Sequence, residues 1–175
     1  MKIGDKAPTF SLPNVDGTVV SLDDLLRQHK AVAVVFSCNH CPYVRGWEGR
    51  MVSIQADYAD KGFQLVAVGS NNAATYPEDS FENMKKRHKE QGFNFLYVRD
   101  ESQAVARAYS AQRTPEVFLL DSAGTIQYHG AIDDNYQEPE AVKRHYLRDA
   151  LDAVLAGKTP PVVETAPVGC TIKWK

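Results

Sequence analysis

The chain has 175 residues, 43% of them hydrophobic and 24% charged. That is enough apolar material for one buried core without a disulfide framework or structural metal, and it excludes a disordered chain. A net charge of −2 excludes a dedicated nucleic-acid or anionic-membrane binder, and the longest apolar run, Ala31 to Phe36, falls far short of the roughly 20 residues of a membrane span.

The first residues, Met1 to Lys6, hold no apolar leader region, so a cytoplasmic protein is expected. Val15-Asp16-Gly17-Thr18 reads as a turn and Thr18 to Val20 as a strand. Ser21 then caps a helix over Leu22 to Leu26, and residues 1–30 form a small N-terminal β extension. Ala31 to Phe36 is apolar at every position and predicts a strand buried on both faces. A helix follows from about Cys41 to Ala59, then a second strand over Phe63 to Val68. Pro77 is expected to start a helix with Phe81, Met84 and His88 on one stripe, stopped by Gly92. Its Lys85-Lys86-Arg87-His88-Lys89 run reads as a solvated face. Phe93 to Val98 predicts a short strand, and Ser102 is expected to cap a short helix carrying Val105, Ala106 and Tyr109. Val117 to Leu120 and Ile126 to His129 flank the turn Asp121-Ser122-Ala123-Gly124 and predict a hairpin. Asp133-Asp134-Asn135 reads as a surface turn, lacking the spaced ligands of a calcium loop. Pro139 to Ala156 predicts one long helix with Val142, Tyr146, Leu147, Ala150, Leu151, Val154 and Leu155 on its apolar face, ended by Gly157. The order implies an α/β fold, a central mixed sheet flanked by helices, in one domain over residues 1–175. The tail, residues 157–175, holds prolines and no helix period; Trp174 predicts that it packs on the domain.

The chemistry concentrates at Cys38-Asn39-His40-Cys41-Pro42, where a buried strand gives way to a helix. A thiolate at a helix N-terminus faces unpaired N–H groups and the positive end of the helix dipole, which lowers its pKa. Two cysteines two residues apart can close a disulfide and so exchange two electrons. Pro42 suits a first turn, where its missing N–H has no intrahelical partner. A protonated His40 would favour the thiolate and make the disulfide the stronger oxidant. Two inert buried thiols are one alternative. A metal-binding or redox-sensing module using Cys38, Cys41 and His40 or Cys170 is another. Zinc generally takes four ligands, and a single pair with scattered histidines assigns none. Cys170, in the tail, is either a small buried hydrophobe or a resolving thiol that folds back to the site.

Arg113-Thr114-Pro115-Glu116-Val117-Phe118-Leu119-Leu120-Asp121 leads a proline into an apolar strand, an unusual place for a residue that cannot donate to a ladder. With a Cys-x-x-Cys upstream, this Thr-Pro resembles the cis-proline loop of thioredoxin-fold proteins. The resemblance extends over residues 4 to about 156, in the longer, peroxiredoxin-related form of that fold. It is carried by Gly4-Asp5-Lys6-Ala7-Pro8-Thr9-Phe10-Ser11-Leu12, the strand–Cys-x-x-Cys–helix unit, Val98-Arg99-Asp100 and the Thr-Pro strand. Cys38 to Val44, taken with Gly169-Cys170-Thr171-Ile172-Lys173-Trp174, resembles a redoxin (AhpC/TSA-related) group that carries a thioredoxin-type Cys-x-x-Cys. The resemblance implies a cis Thr114-Pro115 bond and a loop that offers backbone groups to an extended substrate.

The same resemblance exposes departures. Peroxiredoxins place a proline seven residues, and a threonine or serine three residues, before the peroxidatic cysteine. Aligned on Cys41-Pro42, those positions hold Val34 and Cys38. No tryptophan precedes Cys38, and the preceding strand carries no acid, so proton transfer at Cys41 needs another group or water. The expected function is thiol–disulfide oxidoreduction on protein or small-molecule disulfides. Cys38 attacks from the exposed helix mouth, Cys41 resolves from beneath it, and a thioredoxin or low-molecular-weight thiol resets the pair; no organic cofactor is implied. Thr114 and Pro115 would frame the site. The rival is a thiol peroxidase, an antioxidant enzyme with Cys41 peroxidatic, Cys38 or Cys170 resolving and Arg113 beside the peroxide.

Overall fold

The computed structural model describes residues 1–175. Ala31–Ser37 (β3) lies at the centre of a five-stranded sheet, parallel to Phe63–Gly69 (β4) and antiparallel to Glu116–Asp121 (β7). Leu96–Arg99 (β5) extends one edge in parallel, and Ile126–Gly130 (β8) closes the other antiparallel, so the order is β5-β4-β3-β7-β8. The mixed α/β sheet and its flanking helices make the thioredoxin-like fold that the sequence implies.

Pleating explains why β3 is apolar throughout. Ala31, Ala33 and Val35 enter the core on one side, against Trp47, Met51 and Ile54 of the helix Pro42–Tyr58 (α2) and Leu147, Ala150 and Leu151 of the last helix. Val32, Val34 and Phe36 enter the other, with Leu22 and Leu25 of the helix Leu22–Gln28 (α1), Tyr109 and Phe118. Full burial of each valine, leucine, isoleucine, methionine or phenylalanine among these contributes about 1.5–3 kcal/mol. The N-terminal strands Ser11–Pro13 (β1) and Val19–Ser21 (β2) pair antiparallel, and Ser21 Oγ accepts the Asp24 N–H to cap α1.

Three helix expectations are corrected. Pro77 begins a 3-10 turn, Pro77–Asp79, and Ser80 caps the helix Phe81–Gln91 (α3) by accepting the Asn83 N–H at 3.2 Å. The helix Ala104–Ala108 (α4) is capped by Asp100, whose carboxylate accepts from Val105 and Ala106 N–H, while Ser102 reaches only Ala104 N–H. The long C-terminal helix is two pieces, a 3-10 turn Pro139–Ala141 and the helix Tyr146–Leu155 (α5). Lys143 N–H goes to Asp134 Oδ1 and Leu147 N–H to Ile132 O, so tertiary acceptors take bonds that a continuous helix would need. Two surface expectations also fail: Asp133 is buried, accepting from Trp47 Nε1 and Arg50, and Arg87 pairs with the buried carboxylate of Glu48. No helix is long and apolar enough to cross a membrane.

The tail crosses the sheet edge and returns to the centre. Cys170–Thr171 (β9) pairs antiparallel with Arg113–Thr114 (β6), Thr114 opposite Cys170. Ile172 is buried and its N–H reaches Gln112 O, while Lys173 N–H donates to Asn71 Oδ1 and Lys173 O accepts the Asn72 N–H. Arg107 covers the Trp174 ring at 4.6 Å.

Candidate redox site

The two cysteines sit where β3 ends and α2 begins, in different local structure. Cys41 is the N-cap residue of α2 and Pro42 takes the first helical position. Cys38 lies before the helix, in the loop that leaves the strand. Asn39 fixes that loop: its N–H donates to Asp79 Oδ1, its side-chain amide to Glu78 O, and its side-chain carbonyl accepts from Tyr97 OH, each at 2.8 Å. Arg45 reaches back to Asn39 O at 3.1 and 3.0 Å.

Cys38 Sγ lies 3.6 Å from Thr114 Oγ1, Cys41 Sγ 3.5 Å from Thr114 O, and Cys41 Sγ 2.7 Å from Cys170 Sγ. All three thiols are free. The expectation of an exposed Cys38 above a buried Cys41 is corrected: Cys38 is 3% exposed and Cys41 is sealed. The helix starts too late to lift Cys38 to its mouth, and the tail covers Cys41. Cys170 alone of the three is half-buried.

The electrostatics separate the pair. A hydrogen bond from Cys38 outweighs burial at Cys41, and Cys170 and the Val44 N–H add to it, so the Cys41 thiol is lowered to about 4. Cys38 is pushed far up, as the partner that keeps its proton, by burial, and by the Asp79 carboxylate. Burial and the negative neighbour Cys41 push Cys170 up to about 11. The two shifts run in opposite directions and favour ionisation of Cys41 over Cys38.

Asp79 is the residue that sequence reading missed. It is 2% exposed, and His40 Nδ1 stands 2.7 Å from its Oδ2, an ion-pair contact whose angle does not make a hydrogen bond. Asn71 Nδ2 donates to the same oxygen at 2.9 Å, and Tyr76 stacks on His40. The Cys38 sulfur, a His40 ring nitrogen and an Asp79 oxygen lie within 4.8 Å of one another. These are three donors, one short of a closed tetrahedral zinc set. A signal existed in the topology: parallel β3 and β4 end side by side, so the loop after β4, with Tyr76-Pro77-Glu78-Asp79, had to arrive next to Cys38.

The Thr114–Pro115 bond is cis. Behind it, buried Glu116 accepts from the N–H groups of Gln112 and Arg113 and lies 2.7 Å from His129 Nε2. His129 Nδ1 faces Glu164 of the tail at 3.0 Å. Burial alone would lower His129, but the two carboxylates together hold it above its ordinary value. Arg113 is exposed and reaches the Gly169 carbonyl at 3.4 Å, on the tail. Gly169 is required there: a Cβ would press into the Thr114 carbonyl.

A family model described as Redoxin matches residues 2–144. The chain belongs to the Redoxin family. Among solved structures, this redoxin resembles an uncharacterized conserved protein from Geobacillus kaustophilus, 42% identical, with a TM-score of 0.92 over 99% of this chain and 93% of that one. It also resembles a thiol:disulfide interchange protein DsbE from Chlorobium tepidum, 28% identical, with a TM-score of 0.71 over 89% of this chain and 99% of that one. A curated relative, Protein DipZ of Mycobacterium bovis, is 28% identical over 127 residues, 68% of this chain; the chain spans 16% of that relative's length.

Proposed function

We propose that this redoxin-family oxidoreductase reduces protein or small-molecule disulfides with Cys41 as nucleophile and Cys38 as resolving thiol. The observation that carries the reading is the position of the Cys41 sulfur at the N-cap of α2, 3.5 Å from Thr114 O and 2.7 Å from Cys170 Sγ, where its pKa is lowered while that of Cys38 is raised. The likeness to a thiol:disulfide interchange protein supports it. The roles of the two cysteines are thus exchanged relative to the order expected from the motif.

Cys41 thiolate attacks one sulfur of a substrate disulfide; a Cys41–substrate bond forms and the other substrate sulfur leaves as thiolate. Cys38 then gives up its proton and attacks the Cys41 sulfur. The second substrate thiolate leaves, protonated, and the Cys38–Cys41 disulfide remains. His40 is placed to take the Cys38 proton, with the Asp79 carboxylate 2.7 Å from its Nδ1 to stabilise the charge it would gain. This supplies the proton acceptor that the apolar strand lacks. The backbone edge at Thr114 would receive an extended substrate segment once the tail leaves it. A thioredoxin or small thiol of a reducing cytoplasm supplies the two electrons that reset the disulfide.

A second reading, peroxide reduction, draws on the same activated Cys41 followed by Pro42. There Cys41 would become a sulfenic acid and Cys38 would condense with it, releasing water. The test runs reduced protein in parallel against a protein disulfide and hydrogen peroxide, following thiol loss. Fast loss with the disulfide and slow loss with peroxide, both abolished in Cys41→Ser, is the expected result. Fast loss with peroxide alone would replace the proposal by the peroxidase.

A further inference from the structure

We infer that Cys170 is a third redox residue: it takes over the disulfide from Cys38 by exchange at Cys41, and electrons from the reductant enter the protein through it. The inference rests on the pair chemistry proposed above, and it answers a problem that the geometry poses. Cys38 and Cys41 are both buried while the tail is docked, so a reducing partner cannot reach either sulfur. Cys170 is the half-buried thiol of the three and stands against Cys41.

The tail is built to hold it there. β9 pairs with β6 so that Cys170 faces Thr114, the residue whose carbonyl and hydroxyl flank the other two sulfurs. Gly169 lets the strand approach the Thr114 carbonyl more closely than any side chain would permit. On one side Thr165 Oγ1 accepts the Ala131 N–H and meets Tyr128 OH, each at 2.9 Å, with Gly130 leaving the room. On the other, buried Ile172 and the backbone of Lys173 are anchored to Gln112, Asn71 and Gln103. A small buried hydrophobe would need none of this register. Trp174, under Arg107, closes the segment.

The exchange is an isomerisation. Cys170, as thiolate, attacks the Cys41 sulfur of the Cys38–Cys41 disulfide. The Cys41–Cys170 bond forms, the Cys38–Cys41 bond breaks, and its electron pair stays on Cys38. Cys38 takes up the proton that Cys170 gave away; nothing is oxidised or reduced overall. His40 and Asp79, beside Cys38, are placed to return that proton. A dithiol protein or small thiol then attacks Cys170 as thiolate, forming a mixed disulfide and releasing Cys41 as its stable thiolate. A second thiol from the reductant displaces Cys170, leaving oxidised reductant and reduced enzyme. Until that happens the tail is tied across the site, so an oxidised molecule cannot take a second substrate.

The test oxidises the full chain with one equivalent of diamide, quenches in acid, alkylates free thiols and maps the tryptic peptides. Cys38 and Cys41 share peptide 31–45, and Cys170 lies in peptide 159–173. The expected product is the cross-linked pair of these peptides with Cys38 alkylated. Cys170→Ser should hold only the Cys38–Cys41 bond. It should still reduce its first equivalent of substrate, yet be reset by dithiol about tenfold more slowly or worse. Gly169→Ala, which keeps the thiol and moves the strand, should lose most of the cross-link. Alkylated Cys170 in oxidised wild type, with wild-type reset of Cys170→Ser, would overturn the inference and leave the pair chemistry intact. A cross-link formed in a protein that reduces no disulfide substrate would instead overturn the proposed function and leave the exchange standing.

Discussion

Cys38 and Cys41 are three residues apart, and their surroundings have opposite polarity. Cys38 leaves the sheet against a buried carboxylate, Asp79, and its pKa is raised; Cys41 occupies the N-cap position of a helix beside Thr114 and Cys170, and its pKa is lowered. The difference comes from where the helix begins. Had α2 started at Asn39, Cys38 would hold the N-cap place and the helix dipole would favour its thiolate. Pro42 at the first helical position instead gives that place to the second cysteine. A two-cysteine motif alone therefore does not say which sulfur is the nucleophile; the register of the helix start says it.

The largest effect separates the two sulfurs. Cys41→Ser should reduce turnover of a protein disulfide by about a thousandfold or more, because a hydroxyl cannot replace the thiolate. Cys38→Ser should still make the first attack, more slowly where the thiol's bond to Cys41 is weakened, and accumulate the mixed disulfide at Cys41. Equal loss of the first attack in both variants would break the contrast.

Asp79→Asn removes the negative charge from the Cys38 side only. Release of the second substrate thiol should slow by about a hundredfold, the scale of one general base, while the first attack is unchanged. Because that carboxylate helps to keep Cys38 high, the apparent pKa of the resolving step should also fall, a change that loss of packing would not produce. A stopped-flow pH profile of the two steps reads both.

Gly169→Ala acts on the cover over Cys41. With β9 displaced, alkylation of Cys41 should rise about tenfold, as a local opening becomes the resting state, and alkylation of Cys38 should change less. Mass spectrometry of the labelled peptides measures it.

The smallest effect is a pH dependence at the far end of the tail. His129 is held above its ordinary value between Glu116 and Glu164, so its contribution to tail docking is fully present below the unfolded pKa of about 6.5 and is lost as pH rises through its folded value. Amide exchange in residues 163–172 should speed up over that range. His129→Gln should flatten the dependence, at a stability loss of about 1 kcal/mol or less.

Sequence reading located the sheet well because β3, β4 and β7 are buried on both faces and read as apolar runs without regard to their neighbours. It placed Cys38, Cys41, Thr114 and Pro115 together through the motif and the resemblance. Asp79 escaped because its importance is a matter of topology: nothing in Pro77-Glu78-Asp79 marks a buried acid, and only the parallel pairing of β3 and β4 brings it to His40. The position of Cys170 escaped for a similar reason. A tail without periodicity says nothing about register, and the register with β6 depends on Gly169, a residue whose need appears only when Thr114 is opposite. The broken helix at 142–145 shows the same limit, since Asp134 and Ile132 claim the N–H groups of Lys143 and Leu147 from outside the helix.

The most direct measurement is the thiolate absorbance of the fully reduced protein as a function of pH, in wild type, Cys38→Ser, Cys41→Ser and Cys170→Ser. Assignment of the nucleophile to Cys41 requires one thiolate in wild type that titrates at about 4, is retained in Cys170→Ser and is absent from Cys41→Ser. A thiolate that forms only in the ordinary range near about 8.5, or one that survives Cys41→Ser and disappears in Cys38→Ser, would contradict it.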